Sequence, residues 1–457
     1  MNQKRNKYAI LLRFLITSLV VGFLVSAFVS VSKYRKWVHL AEIPPFVMPS
    51  STTAWRVDLR YLAAEIPKRH KNAFHTVTRA QFDRAVAELD SAIPTLNNDQ
   101  IVVGLMRITA MIGDGHTQYA MPTTFHFFPL ELYWFGDTLR VTRVAPAYRR
   151  AHGARLVQIG DTRIENAYTA VSNLIPGGEG ELWVRRLSPL FLRTPEVLHG
   201  LGVLPTAERG RYIFEDDSGT PFSLDFEPVP RTKQARSEQM QTEQARWLFA
   251  AKTEPLYRQR PNENLWFTYL ENDQTVFFKF NGYPGYWAFR RFSGQLLDFI
   301  DHHPVKRLVI DLRHNGGGDM TQFKWLLLPD LARRRFHEEH AWWPREINRL
   351  RHLYVAIGRE TFSAGMLNAV ELKNETAAVL VGEPTGGRPN AYSEDSRSTR
   401  ITLPNSHLVV YVSTRYYRLM DEDTPGLLPD RRIDLTWTDF VMGRDPVMKW
   451  ILAQPTD

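Results

Sequence analysis

Two short apolar runs, each broken by glycine, set the strongest limit on what this chain can become. Leu308–Leu312 reads LVIDL and opens into Arg313-His314-Asn315-Gly316-Gly317-Gly318; Tyr354–Ile357 reads YVAI and stops at Gly358. Runs of this kind, rich in branched aliphatics and bounded by turn residues, read as buried strands. Strand and helix patterns alternate around them from Leu265 on. Val276–Phe280 is a strand, and Tyr286–His302 is amphipathic, with Phe289, Phe292, Leu296, Phe299 and Ile300 as its apolar positions. Such alternation predicts an α/β sheet.

Met366–Lys373 then reads as a helix, and Ser363 lies between strand and helix, followed by the small residues Ala364 and Gly365. A serine at a helix N-terminus is close to free N–H groups and the positive dipole end, where an oxyanion is stabilised. The place suits a nucleophile; it suits an ordinary N-cap as well. Gly316–Gly318 let backbone N–H groups point at a ligand. If the two strands are parallel neighbours, the N–H of Gly316 or Gly317 joins that of Ala364 in a candidate oxyanion hole. Phosphate binding is excluded on pattern: there is neither G-x-x-x-x-G-K-[ST] nor G-x-G-x-x-G.

Upstream, Val57–Ile112 has helical spacing. Thr78 caps a segment with Phe82, Ala85, Val86, Leu89 and Ile93 on one face, and a second segment from Asn98 carries Ile101, Leu105, Ile108 and Ile112 to Gly113. The next residues, Gly113-Asp114-Gly115-His116-Thr117, put His116 on a tight glycine-rich turn, a place for a working histidine or for a plain surface loop. From Phe125 to about Pro230 the period becomes that of strands. Ala154–Ile159, Gly160-Asp161 and the apolar segment to Leu174 loosely resemble part of a PDZ-like peptide-binding module. Arg231–Arg260 reads as a polar connector.

The 457 residues are enough for two or three domains, and 44% hydrophobic content provides a real core. Without cysteine the chain has no disulfides and no thiolate metal sites, and His302 and His303 are adjacent rather than at ligand spacing on one helix face, so no metal or cofactor is expected. The net charge of +8 is spread in arginine-rich patches with no aromatic-interleaved basic motif, so nucleic acid is not an expected partner. Phe14–Val31 is uncharged and flanked by Lys4, Arg5, Lys7 and Arg13 before it and Lys33, Arg35 and Lys36 after it. It reads as a single-pass signal anchor with the bulk of the chain extracytoplasmic, the alternative being a signal peptide cleaved after Ala27.

After Val381 come the glycine-rich loop Gly382–Arg388, a hairpin of Thr399–Leu403 with Leu408–Ser413, the acidic cluster Asp421-Glu422-Asp423 ahead of Pro429-Asp430, and a last helix from Asp445-Pro446. Taken together, GDGHT at Gly113–Thr117, LVIDLRHNGGG at Leu308–Gly318, TFSAG at Thr361–Gly365, VGEPTGG at Val381–Gly387, LPNS at Leu403–Ser406 and GRDPV at Gly443–Val447 resemble the C-terminal processing, or tail-specific, serine peptidase family. Six marks in family order cover most of Val57–Leu452. The resemblance implies a multidomain α/β (α+β) chain: a helical N-terminal part, a β-rich middle and an α/β core of the ClpP/crotonase-like type. The expected division is anchor or signal 1–36, linker 37–54, helical domain 55–122, β-rich region 123–230, connector 231–262 and peptidase core 263–457.

Many members of that family pair the serine with a lysine in the later glycine-rich loop. Here that loop carries Arg388, which cannot act as a base. Lys373, ten residues along a helix from Ser363, would lie ~15 Å away. The tricorn-like branch uses a histidine from the N-terminal part, and His116 stands at that position. By the same resemblance an acidic residue orients the histidine: Asp423, with Asp421 and Glu422 as rivals. Arg388 is left as a carboxylate-binding residue or a structural ion pair. The expected activity is serine-type cleavage of peptides or protein tails through a Ser363 acyl-enzyme. The alternative is a binding protein that keeps the fold without proteolysis. An esterase elbow is excluded, since Thr361 fills the first position of G-x-S-x-G.

Overall fold

Three amphipathic helices come first among the residues described by a computed structural model, 45–231, 248–335, 352–393 and 400–456. They are α1 (Thr52–Arg69), α2 (Arg79–Ala92) and α3 (Asn98–Ala110). Reciprocal side-chain caps start two of them: Thr78 with Gln81, and Asn97 with Gln100. Their apolar faces close over Trp55, Leu59, Phe82, Ile101, Leu105 and Ile108. The same cluster takes Ile401, Leu403, Leu408 and Val410 from the far end of the chain. There Arg400–Thr402 pairs antiparallel with Val409–Tyr411, the hairpin expected from sequence. Buried Asp58 of α1 holds its turn by accepting from the N–H groups of Asn405 and Ser406. The helical part is therefore finished by residues some 300 positions away.

The middle is β-rich, as expected. Strands β1 (Leu130–Phe135), β2 (Thr138–Val144), β3 (Arg155–Ile159), β4 (Gly210–Glu215) and β5 (Pro221–Phe226) form an antiparallel sheet in that order. Two helices leave it, α4 (Ile164–Ser172) and α5 (Glu181–Phe191). Residues 232–247 of the connector lie outside the described residues.

The third layer is the predicted α/β core. β6 (Leu265–Leu270) pairs antiparallel with β7 (Thr275–Phe280); α6 (Tyr286–His302) follows. Then come β8 (Arg307–Asp311), β9 (His352–Ile357), α7 (Ala364–Glu375), β10 (Val379–Gly382) and β11 (Arg431–Arg432). The sheet order is β6-β7-β8-β9-β10-β11, parallel from β7 on. β8 is buried at every position, which is why it reads as an unbroken apolar run. Each fully buried aliphatic side chain here stabilises by about 1.5–3 kcal/mol. Because β8 and β9 are neighbours, their C-terminal loops emerge side by side. That register positions the site.

Phe14–Val31 lies outside the described residues. Among the described residues no helix is long and apolar enough to cross a membrane.

Candidate active site

Ser363 sits at the bend between β9 and α7 with φ 49° and ψ −127°. A positive φ on a residue other than glycine costs about 1–3 kcal/mol and persists only where its surroundings enforce it. The enforcing contacts come from the loop after β8. The Phe362 N–H donates to the Asn315 carbonyl at 3.0 Å, and the Thr361 hydroxyl donates to the Leu312 carbonyl at 2.8 Å. Ser363 makes no side-chain cap to its own helix, and an N-cap residue ordinarily has extended backbone. The ordinary-cap reading of this serine is thereby removed. Its hydroxyl is turned out of the bend.

The glycine loop packs directly beneath it. Gly317 has φ 106°, and a methyl group there would stand 2.6 Å from Ser363 Cβ and 3.1 Å from the Ala364 nitrogen. Only glycine fits. One detail departs from the sequence reading: the Gly317 N–H is already taken, donating to Asn315 Oδ1 at 3.0 Å. The N–H groups of Gly316 and Ala364 donate to no partner among the described residues.

His116 arrives from the other end of the chain. Its Nε2 lies 2.9 Å from Ser363 Oγ, across 247 residues of sequence. The imidazole is buried and stacks on Phe362 at 4.7 Å, which in turn stacks on Trp183 of α5 at 4.1 Å. Burial pushes the His116 pKa below its ordinary value, against the opposing pull of the Asp114 carboxylate. The ring is therefore neutral near pH 7. Its Nδ1 is buried and has no hydrogen-bond partner among the described residues.

The turn that carries His116 is fixed by two buried carboxylates. Asp114 accepts from the N–H groups of His116 (3.1 Å) and Thr117 (2.8 Å) and from the Ser413 hydroxyl (2.5 Å). Its other oxygen lies 2.8 Å from His70 Nε2. Since the Asn72 N–H donates to His70 Nδ1, the His70 proton resides on Nε2 and points at Asp114. Burial alone would raise the Asp114 carboxyl, but the hydrogen bonds from His70 and Ser413 overcome it and hold the pKa at about 2.

Glu179 is the second carboxylate, and sequence reasoning missed it. It accepts from the Gly115 N–H at 3.0 Å and from the Arg388 N–H at 2.7 Å, joining the histidine turn to the later glycine-rich loop. Burial outweighs those bonds and pushes its pKa up to about 7. The available signal was the pair Gly177-Gly178 in front of it. A methyl group on Gly178 would lie 1.5 Å from the Gly113 carbonyl oxygen, so this segment must press against the GDGHT turn.

Other expected residues lie elsewhere. Asp423, assigned to hold the imidazole, instead pairs with Arg388 at 3.0 Å. Its rivals fare no better: Asp421 stands 3.9 Å from Arg418, and Glu422 offers its backbone carbonyl to Asn390. The physical reason is the nearer cation: Arg388 reaches Asp423 with Nη2 while donating from Nη1 to the Gly178 carbonyl. Arg388 is thus placed as an ion pair rather than as an open anion receptor. Lys373 is bound to Asp430 at 2.6 Å, and Lys279 is buried against Asp311 at 2.9 Å, so neither serves Ser363. Among the described residues no group of three or more His, Asp or Glu is placed to hold a metal ion.

A cavity of about 390 Å³ opens behind the two loops, lined by Tyr257, Arg258, His314, Gly358, Arg359 and Glu383 among others. Neither Ser363 nor His116 lines it, so it is separate from the serine–histidine pair.

Residues 285–433 match the model of a family described as peptidase family S41. That span runs from the start of α6 to β11 and contains the glycine loop and Ser363. Comparison with curated proteins by sequence gives no match. Among solved structures, mature CPAF is similar at a TM-score of 0.56 and 11% identity, covering 87% of this chain and 96% of that one. CPAF complexed with lactacystin is similar at 0.54 and 12%, covering 87% and 97%. A photosystem II D1 C-terminal processing protease gives 0.39 and 15%, covering 83% and 93%. At these identities the likeness to CPAF is one of fold.

Proposed function

We propose that this chain, whose residues 285–433 match the model of peptidase family S41, is a serine-type peptidase acting on peptides or proteins, with Ser363 as its nucleophile and His116 as its general base. The observation that carries the reading is the 2.9 Å approach of His116 Nε2 to Ser363 Oγ, at a serine held in a strained bend. Nothing about packing requires a hydroxyl there; attack on a carbonyl does.

In this reading His116 Nε2 takes the Ser363 proton as Oγ bonds to the scissile carbonyl carbon. The negative oxygen is received by the N–H groups of Ala364 and Gly316, assisted by the dipole of α7. His116 then returns the proton to the leaving amine, and water hydrolyses the acyl-enzyme by the same route. In this reading the ring is oriented by its stacking on Phe362 and by the Asp114 bond to the His116 N–H, and not by Asp423. Delivery across a membrane and tethering by Phe14–Val31 belong to the same proposal and rest on the sequence of that segment.

Reaction of residues 37–457 with a fluorophosphonate, read by intact mass and by mapping of the modified peptide, tests it. One adduct on Ser363, absent from Ser363→Ala, is expected. A folded wild-type protein that takes up no adduct would overturn the catalytic reading and leave a binding protein with a peptidase fold.

A further inference from the structure

We propose that Arg186 reads a carboxylate on the substrate, so that this peptidase cuts beside acidic residues. The inference rests on Ser363 being the nucleophile.

Arg186 projects from α5, and its Nη2 would stand 3.8 Å from a methyl group on Gly316, on the glycine loop that packs under the serine. Its guanidinium lies over the face of Trp183 at 5.0 Å. Trp183 stacks on Phe362, and Phe362 on His116, so the surface carrying Arg186 is continuous with the wall of the candidate site.

The partners of the arginines around this wall separate Arg186 from the rest. Arg185 is bonded to Glu181 and Asp137. Arg359 forms a two-pronged pair with Glu383. Arg388 is held by Asp423 and the Gly178 carbonyl. Arg186 alone of these four has no hydrogen bond and no carboxylate within 4 Å among the described residues; the charge that acts on it is that of Glu360, from beyond ion-pair distance. Glu360 is the competitor for an incoming anion. Burial raises its carboxyl above the ordinary value, against the pull of Arg186, Lys279 and Arg359. Burial also lowers the Arg186 pKa, with the Glu360 charge opposing it. An arginine stacked on an aromatic face offers a planar fork of donors, the geometry that recognises a carboxylate with two parallel hydrogen bonds. The α-carboxylate of a chain end and the side chain of Asp or Glu share this chemistry.

The test is cleavage of a random peptide mixture by wild type, Arg186→Gln and Arg186→Lys, with cut sites mapped by mass spectrometry. Rates are then measured on the best-cut peptide and on its Asn or Gln counterpart. Wild type should concentrate its cuts within two positions of an acidic residue or a chain end, and should lose about tenfold or more in kcat/KM on the neutral peptide. Arg186→Gln should cut both peptides at the neutral-peptide rate, with Arg186→Lys between. Cuts without acidic enrichment in wild type, or equal losses on both peptides in Arg186→Gln, would overturn the inference. Fluorophosphonate labelling, which needs no carboxylate, separates the two claims. Labelling with no acidic preference removes Arg186 alone; no labelling of wild type removes the nucleophile and this inference with it. If Arg186→Gln fails to fold, the wild-type comparison of acidic and neutral peptides decides.

Discussion

The serine side and the histidine side of this site are built by different physics. Ser363 and its glycine loop come from the ends of β9 and β8, adjacent parallel strands of one buried sheet. Two hydrogen bonds between those loops and the absence of a side chain on Gly317 hold the bend. No charged group is needed. His116 is instead brought in from the helical part and kept in place by Asp114, His70, Ser413 and Glu179, which belong to separate segments. The serine side is local and largely backbone; the histidine side is long-range and electrostatic. Only the second should respond strongly to pH.

The largest effects test whether the two sides act as one unit. Ser363→Ala and His116→Ala should each lower turnover by about 10⁴-fold or more, and the double variant should lose little beyond either. Additive losses in kcat would break the pairing. Ser363→Gly should remove activity and raise stability by about 1 kcal/mol, because glycine tolerates φ 49°. A destabilised glycine variant, measured by denaturant unfolding, would mean that the bend is not strained.

Next come the two carboxylates, which should act in opposite directions. Glu179 has a folded pKa raised to about 7, so it binds its proton more tightly folded than unfolded. The folded state therefore loses stability as pH rises from about 4.5 to about 7, by on the order of 3 kcal/mol, and no further above that. The stability of Glu179→Gln relative to wild type should climb by that amount over the same interval. Asp114, held at about 2, contributes fully above pH 4 and is lost as pH falls from about 4 to about 2. The deficit of Asp114→Asn at neutral pH should be about 2.5 kcal/mol and should shrink in that acid window. Unfolding midpoints across pH check both; parallel curves for either variant would contradict the assignment.

The smallest effect sharpens the correction at Asp423. Its partner is Arg388 and its side chain is mostly exposed, so Asp423→Asn should change the labelling rate of Ser363 by less than about threefold. A loss approaching that of His116→Ala would return Asp423 to the imidazole.

The same division explains what could be read from sequence. Leu308–Leu312, Tyr354–Ile357 and α6 were legible because burial on both faces, or on one face at helical spacing, writes itself into consecutive residues. Ser363 and Gly316–Gly318 were legible for the same reason: strand, glycine and helix follow one another along the chain. His116 could be singled out by its glycine-flanked turn. The partners of that turn could not, because Glu179 and Ser413 reach it only through tertiary docking, and a lone glutamate or serine carries no pattern. Asp423 was assigned from its position ahead of Pro429-Asp430, which says nothing about Arg388, the cation it pairs with.

The most direct test of the pairing is the rate of Ser363 labelling by a fluorophosphonate as a function of pH, in wild type and in His116→Ala. A neutral, buried histidine acting as base predicts a wild-type rate that rises to a plateau with a midpoint below the ordinary histidine value. The variant should be slower by about 10³-fold or more and should lack that transition. Labelling of His116→Ala at the wild-type rate, with the same pH curve, would show that Ser363 is activated by something other than His116.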